Sequence, residues 1–249
     1  MDLLYLEKNR GAAMRLGTLI TEQLRPSRKV LKRLFLRGVV KVDGQVEYNE
    51  ARNVDSQLHT IEVEDKILQT SEVYYLLNKP AGVVTANKDR AYDTVFDCLQ
   101  KEDWREDLCF VGRLDRNTEG LLLLTSNGQL AYDLLQPGKK VSKVYEAYLK
   151  EPVEMEDIAR FEQGIRFLDG TLCKPAKLTI LSDSPHHVLL EIHEGKFHQV
   201  KKMFLAVGKK VERLKRISFG PLVLPTDLPS GAYRKLTLDE LSRLKEYFR

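Results

Sequence analysis

The chain has 249 residues, of which 40 are Lys or Arg and 36 are Asp or Glu, so its formal charge is only +4 at neutral pH. This length suits one large or two small domains, and so small a net charge does not by itself indicate a nucleic-acid partner. Three scattered cysteines without CxxC spacing argue against a disulfide framework or a zinc ribbon, and no stretch has the apolar length of a membrane helix. We therefore expect a cytoplasmic protein with reduced thiols and no membrane partner.

A compact pattern begins at Met14, and we expect residues 1–13 to be a loose extension; whether the true start is Met1 or Met14 stays open. Apolar side chains at helical spacing predict a first helix. Ser27 can cap a second helix, which Gly38 ends. The apolar face of this second helix is expected to comprise Val30, Leu31, Leu34 and Phe35. Short valine-rich strands around an Asp-Gly turn follow, so residues 14–64 are expected to form one small α/β unit.

The second predicted helix is strongly basic, with seven basic residues and no acid between Arg25 and Lys41. A solvated helix face is one interpretation, but a hairpin directly behind the helix would turn these charges into a compact surface for phosphates. The segment MRLGTLI…SRKVLKRLFLRGVVKVDGQ resembles the S4 RNA-binding domain, with Gly17 where that family usually has Asp. The RNA-binding residues that we predict here are Arg15, Arg28, Lys29, Lys32, Arg33 and Arg37.

Residues 65–72 predict a short polar linker, at which we expect a hinge that lets two domains rotate. Beyond it, residues 73–249 contain several strand-like runs with a few helices between them. The clearest runs are VYYLLNKP, LLLLT, KVYEAYLK and HHVLLEIHEG. Many strands with few helices predict an α+β domain built on a mixed, largely antiparallel sheet. Thr237 and Glu240 have the spacing of a capping box and predict a terminal helix.

One carboxylate stands out in GRLDRNTEGLLLLTSNG, where Asp115 lies between Arg113 and Arg116 just before a buried strand. An ordinary salt-bridged loop residue is one interpretation of such an aspartate. A later segment, EGKFHQVKKMFLAVG, predicts an amphipathic helix closed by Gly208. From residue 196 to residue 216 there are eight basic residues against one acid, Glu212. The chain thus has a second basic surface, close in sequence to the end of the domain.

The two segments together resemble the pseudouridine synthases. GRLDRNTEGLLLLT matches their catalytic motif, and EGKFHQVKKMFLAVG matches a motif of their small-subunit ribosomal RNA branch, the RsuA type. With the S4 outline, the resemblance covers roughly residues 14–245. It implies an isomerase that breaks the C–N glycosidic bond of a uridine in RNA, turns the uracil and bonds its C5 to the ribose. The implied target is 16S rRNA, at a uridine of the 516 type, and no metal or other cofactor is implied.

The resemblance also assigns roles to residues. Asp115 is the essential carboxylate, as nucleophile or as base, and Lys201 is the cation that pairs with it. Tyr145 packs on the target base and relays a proton, while Leu214 forms the apolar floor of the pocket. Arg113 occupies the space that the flipped base vacates or holds the RNA backbone. The predicted catalytic set is Asp115, Tyr145 and Lys201; the predicted substrate-binding set is Arg113, Leu214, His198 and Gln199; and Lys202 is a predicted phosphate contact.

Three other interpretations stay open at this point. The same chemistry could act on 23S rRNA, although the HQVKKMF segment favours the small-subunit branch. The chain could also be a non-catalytic RNA-binding protein that uses its S4-like part. An aspartate-based hydrolase would need a second carboxylate, for which only Glu119 lies near Asp115 in sequence. The expected partner in the favoured interpretation is ribosomal RNA, free or in an assembling small subunit, and the expected state is a monomer.

Overall fold

The computed structural model describes residues 15–181 and 184–248; the expected extension at 1–13 and the alternative start at Met14 lie outside the described residues. The helices are α1 Leu16–Leu24, α2 Arg28–Leu36, α3 Gly128–Leu135, α4 Met155–Gln163, α5 Gln199–Ala206 and α6 Leu238–Arg243. The strands are β1 Val40–Val42, β2 Gln45–Val46, β3 Ile61–Val63, β4 Lys66–Leu68, β5 Tyr74–Lys79, β6 Cys109–Val111, β7 Glu119–Thr125, β8 Lys143–Leu149, β9 Lys177–Ile180, β10 His187–Ile192, β11 Val211–Phe219, β12 Leu222–Val223 and β13 Tyr233–Lys235. None of the described helices is long and apolar enough to cross a membrane.

The first part of the chain packs α1 and α2 with a four-stranded antiparallel sheet in the order β2-β1-β3-β4. Ser27 begins α2 as predicted, because its Oγ accepts a hydrogen bond from the Val30 amide. Leu34 and Phe35 enter the core, but Val30 stays 44% exposed. Leu31 is partly buried against the same core, so of the four predicted apolar residues of α2 only Val30 stays outside it.

The predicted polar linker at residues 65–72 is shorter in the structure. Lys66–Leu68 form β4, which pairs with β3, and the Leu68 side chain is buried in the first core. The alternation of exposed Ile67 and buried Leu68 is that of a half-buried edge strand. Only residues 69–73 connect the two sheets without regular structure.

The second part is built on a nine-stranded sheet. Seven of its strands follow the order β13-β5-β7-β11-β8-β10-β9, and the other two, β6 and β12, pair with β7 and β11. Among the strands of the described residues, β7 and β11 pair in parallel and the other pairs are antiparallel, so the predicted mixed, largely antiparallel sheet is confirmed. The central strands bury both faces: Leu122 and Leu124 lie in one apolar cluster, and Leu121 and Leu123 lie in another. This explains why β7 reads as a continuous apolar run rather than an alternating one.

Gly120 permits the close parallel contact between β7 and β11. Its φ is +104°, a conformation that L side chains rarely adopt, and a Cβ at this position would lie 2.2 Å from the Arg216 carbonyl oxygen. Arg216 is itself buried and donates from Nε to the Leu121 carbonyl at 2.8 Å. The strand that follows Asp115 is therefore fixed against β11 at its first residues.

Polar side chains join the two sheets. Asn53 and Asn127 exchange reciprocal amide hydrogen bonds of 3.3 and 3.2 Å, and both residues are fully buried. The Tyr74 hydroxyl donates to Asp55 and also accepts from Asn127. Because Asn127 caps α3 through the Leu130 amide as well, the joint is tied into a helix of the second part.

Candidate active site

Asp115 lies in the loop of residues 112–118 between β6 and β7, with 27% of its side chain exposed. The loop is held on both sides of this carboxylate. The Thr118 amide donates to the Asp115 carbonyl at 3.0 Å, and the Thr85 hydroxyl donates to the Leu114 carbonyl at 2.8 Å. The Leu114 amide donates back to the same hydroxyl at 3.2 Å. The backbone around Asp115 is thus positioned before any substrate arrives.

Lys79, the last residue of β5, fixes the far side of this loop. Its ammonium group is buried and donates to the carbonyls of Pro80, Arg116 and Thr118 at 2.9, 3.1 and 3.0 Å. Burial lowers the pKa of Lys79 to about 8. The side chain therefore acts through the backbone of the Asp115 loop.

The side chains nearest to the Asp115 carboxylate come from α5 and the residue before it. Lys201 Nζ lies 3.6 Å from Oδ2, and His198 Nε2 lies 3.5 Å from Oδ1. The sequence suggested Arg113 and Arg116 as neighbours, but Arg113 is exposed on the loop and Arg116 lies with its guanidinium 4.2 Å from the Tyr92 ring. The structure thus brings Lys201 and His198 to Asp115, from 83 residues or more away in the chain.

A compact turn presents the His198 and Lys201 side chains. His198 has a left-handed backbone with φ of +53°. Gln199 follows it and is buried, where its amide accepts from the Lys196 amide and donates to Glu194, both at 2.8 Å. Although burial opposes it, hydrogen bonding from Lys196 holds the pKa of the Glu194 carboxyl below its usual range. The Gln199 amide is thus used within the turn, and its predicted contact with substrate stays a prediction.

One apolar cluster contains a residue of the loop and residues of two strands of the sheet. Tyr145 on β8 and Leu214 on β11 are 8% and 4% exposed, and both belong to the apolar cluster that contains Leu114. The two predicted pocket residues thus share one packed layer with the residue that precedes Asp115. A carboxylate, an ammonium and an apolar floor suit a site that acts on a sugar whose base is enclosed.

The family match decides what this site belongs to. The model of the RNA pseudouridylate synthase family matches residues 73–206, which include the Asp115 loop and α5. The chain belongs to the pseudouridine synthases. It is therefore an enzyme, an isomerase of uridine in RNA.

This chain is similar to other known proteins over nearly its whole length. It is 42% identical to the uncharacterized RNA pseudouridine synthase YtzG of Bacillus subtilis, over 94% of this chain and 99% of that one. It is 36% identical to ribosomal small subunit pseudouridine synthase A of Escherichia coli, over 92% of this chain and 99% of that one. A crystal structure of a pseudouridylate synthase, 36% identical, aligns with a TM-score of 0.65 over 92% of this chain and 99% of that chain. The predicted RsuA type is thereby confirmed.

The residues predicted to bind RNA lie in two places, on and next to α2 and at Lys202 on α5. The predicted set on α2 is exposed, and Arg15, Arg28 and Lys32 line a groove of 560 Å³ on the first part. Lys202 on α5 lies 3.6 Å from Asp169, with its ammonium 5.3 Å from the centre of the Phe167 ring. Within residues 15–181 and 184–248, no three His, Cys, Asp or Glu side chains gather as they would around a metal ion.

One exposed residue near the site carries no role in the sequence interpretation. Phe197 is 70% exposed and stacks on the His198 ring, with 3.8 Å between the ring centres. Phe197 lies inside the EGKFHQVKK motif, but an aromatic residue in so short a segment is equally consistent with a buried position in the core. Only the three-dimensional arrangement shows that the ring points outward beside Asp115.

Proposed function

We propose that this synthase converts one uridine of 16S rRNA to pseudouridine, at a position of the 516 type. Two observations support the target. Relatives from Pseudomonas aeruginosa and Escherichia coli, 37% and 36% identical over almost their full lengths, are named ribosomal small subunit pseudouridine synthase A. The HQVKKMF segment, which resembles that branch, supplies the turn and helix beside Asp115.

Asp115 is the proposed catalytic carboxylate, and its ion pair with Lys201 is the observation that carries this assignment. Both possible roles, attack on the sugar carbon and removal of a ribose proton, require an ionised carboxylate. The Lys201 ammonium at 3.6 Å stabilises that negative charge when the site closes over a base. A neutral amide of the same shape at residue 115 could do neither task.

The remaining site residues receive roles by position. A uridine in folded RNA must leave its stack before its glycosidic bond can be reached. Tyr145 and Leu214, in the apolar layer beside the loop, would hold the extruded uracil. Arg113, exposed two residues before Asp115, would fill the vacated space or hold the RNA backbone.

Residues 14–64 are the proposed S4-type RNA-binding part, and the exposed basic side chains of α2 are its phosphate contacts. Binding through two basic surfaces releases counterions, so RNA affinity should fall steeply between 50 and 200 mM salt, as is typical of proteins that neutralise several phosphates. A flat response to salt would contradict this part of the proposal. The monomeric state and the cytoplasmic location stay predictions.

The deciding experiment maps pseudouridine by carbodiimide modification and primer extension on unmodified 16S transcript and on a partial small-subunit particle. Wild type is compared with Asp115→Asn. A new stop with wild type alone, with equal RNA binding by the two proteins, would establish the target and the need for Asp115. Stops on 23S rRNA instead would move the target to the large subunit, and a stop with Asp115→Asn would remove Asp115 from the chemistry.

A further inference from the structure

A row of rings and cations leads away from the Asp115 carboxylate over the protein surface. His198 lies beside the carboxylate, and the Phe197 ring stacks on the His198 ring at 3.8 Å with an angle of 20° between the ring planes. Lys202 Nζ lies 5.6 Å from the centre of the Phe197 ring. The His198 ring thus lies between Phe197 and the proposed reacting carboxylate, and the Lys202 ammonium lies near the Phe197 ring.

Burial does not account for Phe197. The neighbouring aromatic Phe167 is buried in the core, whereas Phe197 remains 70% exposed. His198 stacks on one face of the ring and the Lys202 ammonium also lies over the ring, 5.6 Å from its centre, so a base would need the face away from His198 with this ammonium turned aside. An exposed aromatic ring costs solvation free energy, and in nucleic-acid-binding proteins such rings serve as stacking surfaces for bases.

We propose that Phe197 is a stacking platform for an unpaired nucleobase next to the target uridine, and that Lys202 binds the phosphate of that nucleotide. This inference rests on the proposed function, because it takes Asp115 as the point where the target uridine is held. The spacing of the His198–Phe197 stack, 3.8 Å, is close to the ~3.4 Å between stacked bases of one strand. A base on the outer face of Phe197 would continue that stack outward from the active site.

The charges near the platform favour a nucleotide over an apolar protein surface. Lys201 and Lys202 follow the ring in the chain by four and five residues, on α5. Lys202 shares its charge with Asp169 at 3.6 Å, a pair in which both side chains are partly exposed, so a phosphate can compete for the ammonium. Stacking on an aromatic ring is tolerant of base identity. The platform would therefore add affinity at the neighbouring nucleotide without selecting its sequence.

The first test measures KM and kcat for pseudouridine formation on the RNA that wild type modifies. Phe197→Ala and Phe197→Leu should raise KM by about 5- to 100-fold, the effect of losing one base–aromatic stack, with kcat changed less than about threefold. Phe197→Tyr should restore KM. Leu205→Ala, which truncates another exposed apolar side chain, 55% exposed and on α5, is the matched control and should leave both constants unchanged.

The second test uses fluorescence, because Trp104 is the chain's single tryptophan. A Trp104→Phe/Phe197→Trp protein carries its one tryptophan at the platform, and Asp115→Asn added to it allows binding without turnover. Unmodified RNA should quench this fluorescence strongly. The same RNA should barely change the emission of the Asp115→Asn protein that retains Trp104, which stands 52% exposed in a different loop.

Other outcomes would overturn the platform. Equal KM values for wild type and Phe197→Ala would exclude stacking, and a lower kcat at unchanged KM would mean that Phe197 only orients His198. A defect on the assembling particle but not on naked RNA would assign the ring to a protein partner. If wild type modified no 16S or 23S transcript or particle, the proposed function would fail first, and the fluorescence test would still decide whether RNA stacks on residue 197.

Discussion

Two buried polar clusters in this synthase perform different mechanical tasks. Next to the Asp115 loop, the Lys79 ammonium donates hydrogen bonds to three main-chain carbonyls. At the joint between the sheets, neutral amides of Asn53 and Asn127 face each other, with the Tyr74–Asp55 pair beside them. The first cluster fixes a loop within one part of the chain, and the second fixes one part against the other.

The difference shows where precision is needed. A charged donor makes stronger hydrogen bonds than a neutral one. The hydrogen bonds that hold the Asp115 loop are therefore stronger than those between Asn53 and Asn127. The reciprocal amide pair at the joint makes its hydrogen bonds between two neutral groups, which are individually weaker. We infer that the geometry at Asp115 tolerates less displacement than the angle between the two sheets does.

The largest effect is expected at Lys79. Lys79→Met keeps the length of the side chain but removes the ammonium donor from three partly or fully buried carbonyls, of which that of Arg116 keeps the Gly82 amide, so the free energy of unfolding should fall by about 3 kcal/mol. Turnover should fall by about 100-fold, because a small displacement of a catalytic group has costs of that order. Chemical denaturation and single-turnover kinetics measure the two effects. Lys101→Met, at an exposed lysine, is the control and should change neither.

A pH-dependent effect of similar size is expected beside the joint. Burial, with a smaller contribution from Asp55, raises the pKa of Glu72 from 4.5 to about 7. The folded protein therefore holds a proton that the unfolded chain releases between pH 4.5 and 7, so stability falls as pH rises through this window. Glu72→Gln removes that loss and should be more stable than wild type above pH 7 by about 3 kcal/mol.

Denaturation curves between pH 4 and 8 check the Glu72 prediction. Below pH 4.5 the wild type and Glu72→Gln should converge, because the carboxyl is then protonated in both the folded and the unfolded state. Glu106→Gln, at an exposed glutamate, should follow the wild-type curve throughout. A constant difference between wild type and Glu72→Gln at all these pH values would show that the Glu72 proton is not linked to folding.

A moderate effect is expected at the amide pair of the joint. Asn53→Ala should cost about 1–2 kcal/mol, and a double-mutant cycle with Asn127→Ala should give a coupling free energy of about 1 kcal/mol. Small-angle scattering of Asn53→Ala, beside wild type, measures whether the two sheets separate. A coupling near zero would leave the hinge expected from the sequence as the better description of this joint.

The sequence predicted the elements better than it predicted their contacts. The β7 strand, the α5 helix and the Ser27 cap follow from local patterns that act within a few residues. The side chains beside the Asp115 carboxylate did not follow in this way, because Arg113 and Arg116 are its sequence neighbours whereas His198 and Lys201 reach it through the fold. The assignment of Lys201 came from resemblance to a family.

The same limit applies away from Asp115. The pairing of Asn53 with Asn127 joins residues 74 positions apart, for which no periodic pattern exists. The contacts of Lys79 with three carbonyls depend on how the loop folds over β5. Because every residue has a main-chain carbonyl, the residue types give no indication of these contacts. The exposure of Phe197 likewise depends on the turn that carries it, since the residue type alone indicates burial.

The smallest effect is expected where the joint reaches solvent. Lys245 Nζ lies 3.4 Å from Asp43 and 3.3 Å from the Leu58 carbonyl, so it also links the second part of the chain to the first. Both side chains of this ion pair are more than 40% exposed, and exposed pairs contribute little in water. Lys245→Met should therefore change the free energy of unfolding by less than about 0.5 kcal/mol, and 0.5 M salt should remove the change. A larger, salt-independent loss would mean that the two parts are held at the surface as firmly as at Asn53 and Asn127.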